Sequence, residues 1–182
     1  MKINSLTLTT GNKVLLLEDF FDSNLSEKIL ELCEKSETDD PGWCYEEWTK
    51  LRKIYKGADE TYKKLLSTLA DPEFLKPIED ELGFKIVFSN ASLWADYPGF
   101  GPLLPHVEQH GQGQAQIYLT KKEHPTNGVS IMNMDKQLLF TLPYRNNFGW
   151  YFDECTKVMH SRNNDVPTAI VRYSLIFWYN YL

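Results

Sequence analysis

The stretch Arg172-Tyr173-Ser174-Leu175-Ile176-Phe177-Trp178-Tyr179 lies inside an aromatic and β-branched run from Ala169 to Tyr181 and reads as a strand. Side chains alternate across a strand, so Arg172 and Ser174 face the same side. A guanidinium inside a barrel needs an anionic partner, because burying it unpaired is costly. Two partners stay open at this point. One is a carboxylate of the protein itself, such as Asp165 or Asp153. The other is the carboxylate of a ligand, onto which Arg172 would fork while the Ser174 hydroxyl adds a second donor.

Upstream of that strand, short runs of the same texture recur between turn clusters: Phe84 to Phe88, Gln116 to Leu119, Val129 to Met132, Leu138 to Phe140 and Gly149 to Phe152. Pro98-Gly99-Phe100-Gly101-Pro102, Pro125-Thr126-Asn127-Gly128 and Asn163-Asn164-Asp165 are the clearest loops. Strands at this spacing predict a sandwich or barrel. The first half differs. After an apolar strand, Val14 to Leu17, the positions Leu25, Ile29, Leu32 and Cys33 recur at helical spacing behind a cap at Asp22 or Ser23. Helices are also predicted over Asp59 to Leu69 and from Pro72 to Leu82, the latter stopped by Gly83. Helices first and strands after predict one α+β domain over residues 1–182, with mainly helical support over 1–83 and the β-core over 84–182. The segment Trp43 to Tyr55, with Trp48 and Arg52, has no clear period and reads as a lid or a packed connection.

The chain of 182 residues is 42% hydrophobic and 14% aromatic, which excludes disorder for most of it. Its formal charge of -6 disfavours nucleic acid as a partner unless a local groove is basic. No run of residues is apolar enough to span a membrane, and Met1 to Ser5 does not open a signal peptide, so a cytoplasmic protein without a membrane partner is expected. Cys33, Cys44 and Cys155, odd in number and widely spaced, read as reduced structural thiols.

Four histidines allow each to be weighed. His106 and Glu108 are one residue apart, and on an extended segment an imidazole and a carboxylate so placed can meet one ion. His160, after the Gly149 to Phe152 strand, is the candidate third ligand. Two histidines and a carboxylate on one face of an octahedron leave three positions open, the arrangement of non-haem iron(II) oxygenases. His110 reads as a surface or substrate-facing residue at the start of a loop, and His124 as plain loop. Trp94, Trp150 and Trp178 alternate with apolar neighbours and read as core.

In this order and spacing, His106-Val107-Glu108, His160 and Arg172-Tyr173-Ser174 resemble the HxD/E…H…RxS pattern of the Fe(II)- and 2-oxoglutarate-dependent oxygenases, with a likeness to prolyl 4-hydroxylases. Tyr97-Pro98-Gly99-Phe100-Gly101 resembles the approach to their first metal ligand, and Ile117-Tyr118-Leu119-Thr120 their following strand. The second ligand is Glu where most members have Asp, and Asn127-Gly128 stands where a Gly-Gly pair is usual.

The resemblance implies a double-stranded β-helix (jelly-roll) barrel with supporting helices. His106, Glu108 and His160 would ligate Fe(II), and 2-oxoglutarate and O2 would be cosubstrates, with ascorbate as a supporting reductant. Arg172, Ser174 and Tyr118 would hold the distal carboxylate of 2-oxoglutarate, and Tyr97 would line the pocket near the metal. The implied reaction hydroxylates an unactivated C–H bond of a peptidyl prolyl or amino-acid substrate, releasing succinate and CO2. The alternatives are a catalytically silent jelly-roll binding module, a metal-binding barrel of the cupin type, and an oxygenase acting on another small molecule or a nucleic acid.

Overall fold

A computed structural model describes the chain except for residues 10, 102, 109–112, 155 and 163–165. In chain order the strands are β1 (Lys2–Thr7), β2 (Lys13–Glu18), β3 (Trp43–Tyr45), β4 (Arg52–Tyr55), β5 (Ile86–Asp96), β6 (Leu103–His106), β7 (Gly113–Leu119), β8 (Ser130–Met132), β9 (Leu138–Thr141), β10 (Phe148–Phe152), β11 (Met159–Arg162) and β12 (Arg172–Tyr181). Among the described residues, three α-helices, α1 (Ser23–Glu34), α2 (Glu60–Leu69) and α3 (Pro72–Leu82), occupy the first half, with a 3-10 turn over Lys35–Glu37 after α1.

Each helix begins at an Asp whose carboxylate accepts an orphan backbone N–H of the first turn. Asp22 takes that of Leu25, Asp59 that of Thr61 and Asp71 that of Glu73. Pro72 opens α3, and Gly83 closes it in the left-handed region at φ 83°.

The larger sheet has the order β1-β2-β10-β7-β12-β5-β4-β3, and the smaller one β6-β11-β8-β9. Alternation along the central strands sends each residue to one of two places. Ala115, Ile117 and Leu119 of β7, Leu175 and Phe177 of β12 and Leu93 of β5 pack against Ile29, Leu65, Leu69 and Ile78 of the helices. Each such buried side chain contributes roughly 1.5–3 kcal/mol. On the opposite face, Val14, Phe148, Trp150 and Phe152 meet Val129, Ile131 and Val158 from the smaller sheet's side. The expected α+β architecture, a jelly roll with supporting helices, is the one observed, with two sheets face to face and the helices behind the larger. Among the described residues, the two sheets do not close into a continuous barrel.

Two readings are refined. The Trp43 to Tyr55 segment, read as a lid or a packed connection, is packed and regular: β3 and β4 form a hairpin that extends the larger sheet beyond β5. Trp43 and Tyr55 enter the helix-side core, and the Trp43 indole donates to the Leu32 carbonyl. The first half also contributes four strands, so elements on both sides of residue 84 share one sheet.

Candidate functional site

Between the sheets lies a cavity of about 210 Å³. The strand registers arrange its sheet wall as a series of levels. Arg52, Asp96 and Arg172 stand opposite one another across β4, β5 and β12. The next level holds Trp94, Ser174 and Tyr118, the next Ile176, Gln116 and Trp150, and the last Trp178 and Gln114. The smaller sheet supplies His106, His160 and Arg162.

At the Gln114 end, His106 and His160 are direct cross-strand partners in β6 and β11, with ring centroids 4.5 Å apart. Glu108, just beyond β6, comes within 3.5 Å of His160 Nε2. The ligand atoms of His106, Glu108 and His160 all lie within 4.8 Å of one another. His106 Nδ1 lies 2.7 Å from the Leu104 carbonyl, and His160 Nδ1 lies 3.2 Å from that of Val158. A carbonyl only accepts, so each Nδ1 carries a proton and each Nε2 is the nitrogen left to face Glu108 or an ion. Gln114 Nε2 donates to Glu108 Oε1 at 3.0 Å. The Glu108 carboxyl is held below its ordinary range, chiefly by its hydrogen bond to His160, and partial burial opposes this.

At the other end, Asp96 is fully buried and accepts from three guanidinium groups. Arg52 donates through Nε at 2.5 Å and Nη2 at 3.1 Å, Arg162 through Nη1 at 3.1 Å, and Arg172 through Nη2 at 2.6 Å. Three of the chain's four arginines meet here. Burial alone would raise the Asp96 carboxyl, yet it lies below its ordinary value because Arg172, Arg52 and Arg162 favour the anion. Arg162 is pushed down to about 9, first by burial and then by repulsion from Arg172. Its Nη2 also donates to the carbonyls of Phe100 and Gly101. The Arg52 guanidinium stacks on Trp94 at 4.0 Å and on Phe100 at 4.3 Å.

Between the two ends, Ser174 Oγ and Arg172 Nε are buried with no hydrogen-bond partner, and the Tyr118 hydroxyl lies against the Trp150 indole nitrogen. Unpaired polar atoms are costly to bury. Their clustering along one slot fits a polar ligand with a terminal carboxylate. Burial raises the Tyr118 phenol above its ordinary value and Arg172 opposes this, so it is a neutral donor at physiological pH.

The site thus brings together His106, Glu108, His160, Arg172, Tyr118 and, by alternation with Arg172 and Ile176, Ser174. Tyr97 is placed elsewhere. It follows Asp96 and points to the opposite face, where its hydroxyl donates to the Ser36 carbonyl and its ring lines a separate cavity with Tyr173. The protein partner of Arg172 is Asp96, and Asp153 instead binds the backbone of Lys13. His124 pairs with Tyr144 in a loop bridge, away from the site. Trp94, Trp150 and Trp178 line the cavity as well as packing, the first and last only half-buried. His110, Cys155 and Asp165 lie outside the described residues. Asp96 and Arg162 carried no signal in the sequence, because their partners come from β4 and β12, remote along the chain.

A comparison with family models finds no match, and neither does one with curated protein sequences. Solved structures do match. A prolyl-4-hydroxylase from Pseudomonas putida superimposes with a TM-score of 0.64 at 14% identity, over 92% of this chain and 91% of that one. A non-haem α-ketoglutarate-dependent epimerase from nogalamycin biosynthesis gives 0.66 at 11% identity, over 92% and 77%. HygX from Streptomyces hygroscopicus, solved with nickel and 2-oxoglutarate bound, gives 0.62 at 14%, over 92% and 82%. The chain therefore has the double-stranded β-helix fold of the Fe(II)/2-oxoglutarate oxygenases.

Proposed function

We propose that the protein is an Fe(II)- and 2-oxoglutarate-dependent dioxygenase that hydroxylates an unactivated C–H bond of a peptidyl prolyl or amino-acid substrate. The observation that carries this reading is one slot with a His-Glu-His cluster at one end, an arginine floor at the other and unpartnered donors between. His106, Glu108 and His160 would hold the iron. With 2-oxoglutarate and O2, the iron supplies decarboxylation to succinate and CO2 and the oxidising power to break a C–H bond.

The chain's own part is orientation and exclusion of water. The Nδ1 bonds fix both imidazoles with Nε2 toward the ion, and Gln114 fixes the Glu108 carboxylate. Arg172 Nε, the Tyr118 hydroxyl and Ser174 Oγ would donate to the distal carboxylate of 2-oxoglutarate. Val129, Ile176 and Trp150 give the slot apolar walls that keep water away. The prolyl-hydroxylase likeness supports a prolyl or amino-acid substrate, and the charge of -6 counts against nucleic acid.

Succinate formation tests the reading: protein loaded anaerobically with Fe(II) and then given 2-oxoglutarate and oxygen should release succinate, faster with a prolyl peptide or amino acid among those offered. Absence of succinate with every substrate would contradict it. One observation favours a second reading, a binding module without turnover: Arg172 already has Asp96 as a partner. That reading requires no succinate under any condition.

A further inference from the structure

Arg172 is not spent on Asp96. Among the described residues, one hydrogen-bonded carboxylate faces three guanidinium groups, which leaves a surplus of positive charge there. The other carboxylate here among the described residues is Glu46, whose Oε2 lies 4.0 Å from Arg52 Nη1. Within Arg172, Nη2 is engaged at 2.6 Å, Nη1 reaches only the Asn127 carbonyl at 3.5 Å, and Nε has no partner. The Asp96 bond therefore fixes the plane of the Arg172 guanidinium and leaves its Nε edge free. That edge is one level from the partnerless Ser174 Oγ and from its cross-strand neighbour, the Tyr118 hydroxyl, which lies against the Trp150 indole.

The other two arginines make this arrangement possible. A carboxylate with no exposed surface stays ionised only when cations offset its desolvation. Arg52 binds both of its oxygens from β4, and Arg162 one from β11.

Resting on the reading above, we infer that Asp96 is a positioning residue for cosubstrate selection. By clamping Arg172, with Arg52 and Arg162 keeping the clamp charged, it makes the slot select a 2-oxo acid with a second carboxylate over one without.

The test is equilibrium binding to nickel-loaded protein by calorimetry, with 2-oxoglutarate and with 2-oxovalerate, which has the same chain length and no distal carboxylate. The wild type should bind 2-oxoglutarate at least about tenfold more tightly, the value of one charge-assisted hydrogen bond. Asp96→Asn should lose most of this preference while binding 2-oxovalerate as before. A merely structural role would weaken both acids alike, and that result overturns the inference. So does an unchanged preference. Asp96→Asn leaves three cations without a carboxylate and risks misfolding. The double variant Asp96→Asn, Arg162→Met removes one cation with the anion and should show the same loss of preference. A wild type that binds both acids equally overturns the assignment of Arg172 itself, whereas a selective wild type with a selective Asp96→Asn leaves that assignment standing and removes only the role of Asp96.

Discussion

His160 donates Nδ1–H to the Val158 carbonyl and turns Nε2 toward Glu108, so its loss removes a ligand whose orientation is already fixed. Outer-shell partners of a metal site are commonly worth about 10 to 100-fold in affinity, and a ligand more. His160→Ala should therefore weaken nickel or iron binding at least about 100-fold, as titration calorimetry would show; affinity like that of the wild type would mean the third ligand lies elsewhere. Arg172→Met removes the donor edge beside Ser174 and Tyr118 but no metal ligand. It should leave metal affinity intact and raise the 2-oxoglutarate requirement about 10 to 100-fold, the range of a charged hydrogen bond. An unchanged requirement would return Arg172 to a role in packing alone. At this scale much was legible. Arg172 and Ser174 share a strand parity, and Glu108 follows His106 by two residues just past β6, so two halves of the site are local in the sequence. Asp96 was not legible, because a single Asp at the end of an apolar strand says nothing of the three arginines that reach it across β4, β11 and β12. Tyr97 misled for a related reason: the motif around it is local, but its parity is opposite to that of Asp96.

Among the elements, those with strong periodicity were read correctly, including the three helices and the apolar strands β7, β10 and β12. The missed strands were short or exposed. β1 has almost no buried residue and so shows no alternation, and β3 and β4 span three and four residues. Their place is set by pairing with β2 and β5, which no local pattern encodes. One close approach does depend on a single residue. A Cβ on Gly149 would collide with the backbone carbonyl of Gln116, where β10 crosses β7. Gly149→Ala should therefore cost about 1–3 kcal/mol, seen as a lower urea midpoint with an unchanged slope. A midpoint equal to the wild type's would show that the two strands can separate without loss.

For the whole molecule, the larger sheet carries a helix-backed core on one face and the slot on the other, so stability and site chemistry meet in Asp96. Its carboxyl lies below the ordinary value in the folded state. A depressed acid contributes stability that is fully present above the unfolded value of about 3.9 and is lost as pH falls through the lower folded value. At pH 7, Asp96→Asn should cost about 3–5 kcal/mol, because it leaves buried cations uncompensated. Thermal melts of the two proteins should differ at pH 7 and converge as the medium is made more acidic than pH 4; a gap that persists undiminished would mean the loss is one of shape, with no charge involved. Among the described residues, no helix is long and apolar enough to cross a membrane. The central claim is that the His-Glu-His cluster and the arginine floor form one cosubstrate slot, and metal-dependent binding of 2-oxoglutarate tests it most directly. Calorimetric titration of nickel-loaded wild type should show one 2-oxoglutarate bound per chain, and the same titration of metal-free protein and of His160→Ala should show far weaker binding. Equal binding with and without metal, or none in the loaded protein, would contradict the account.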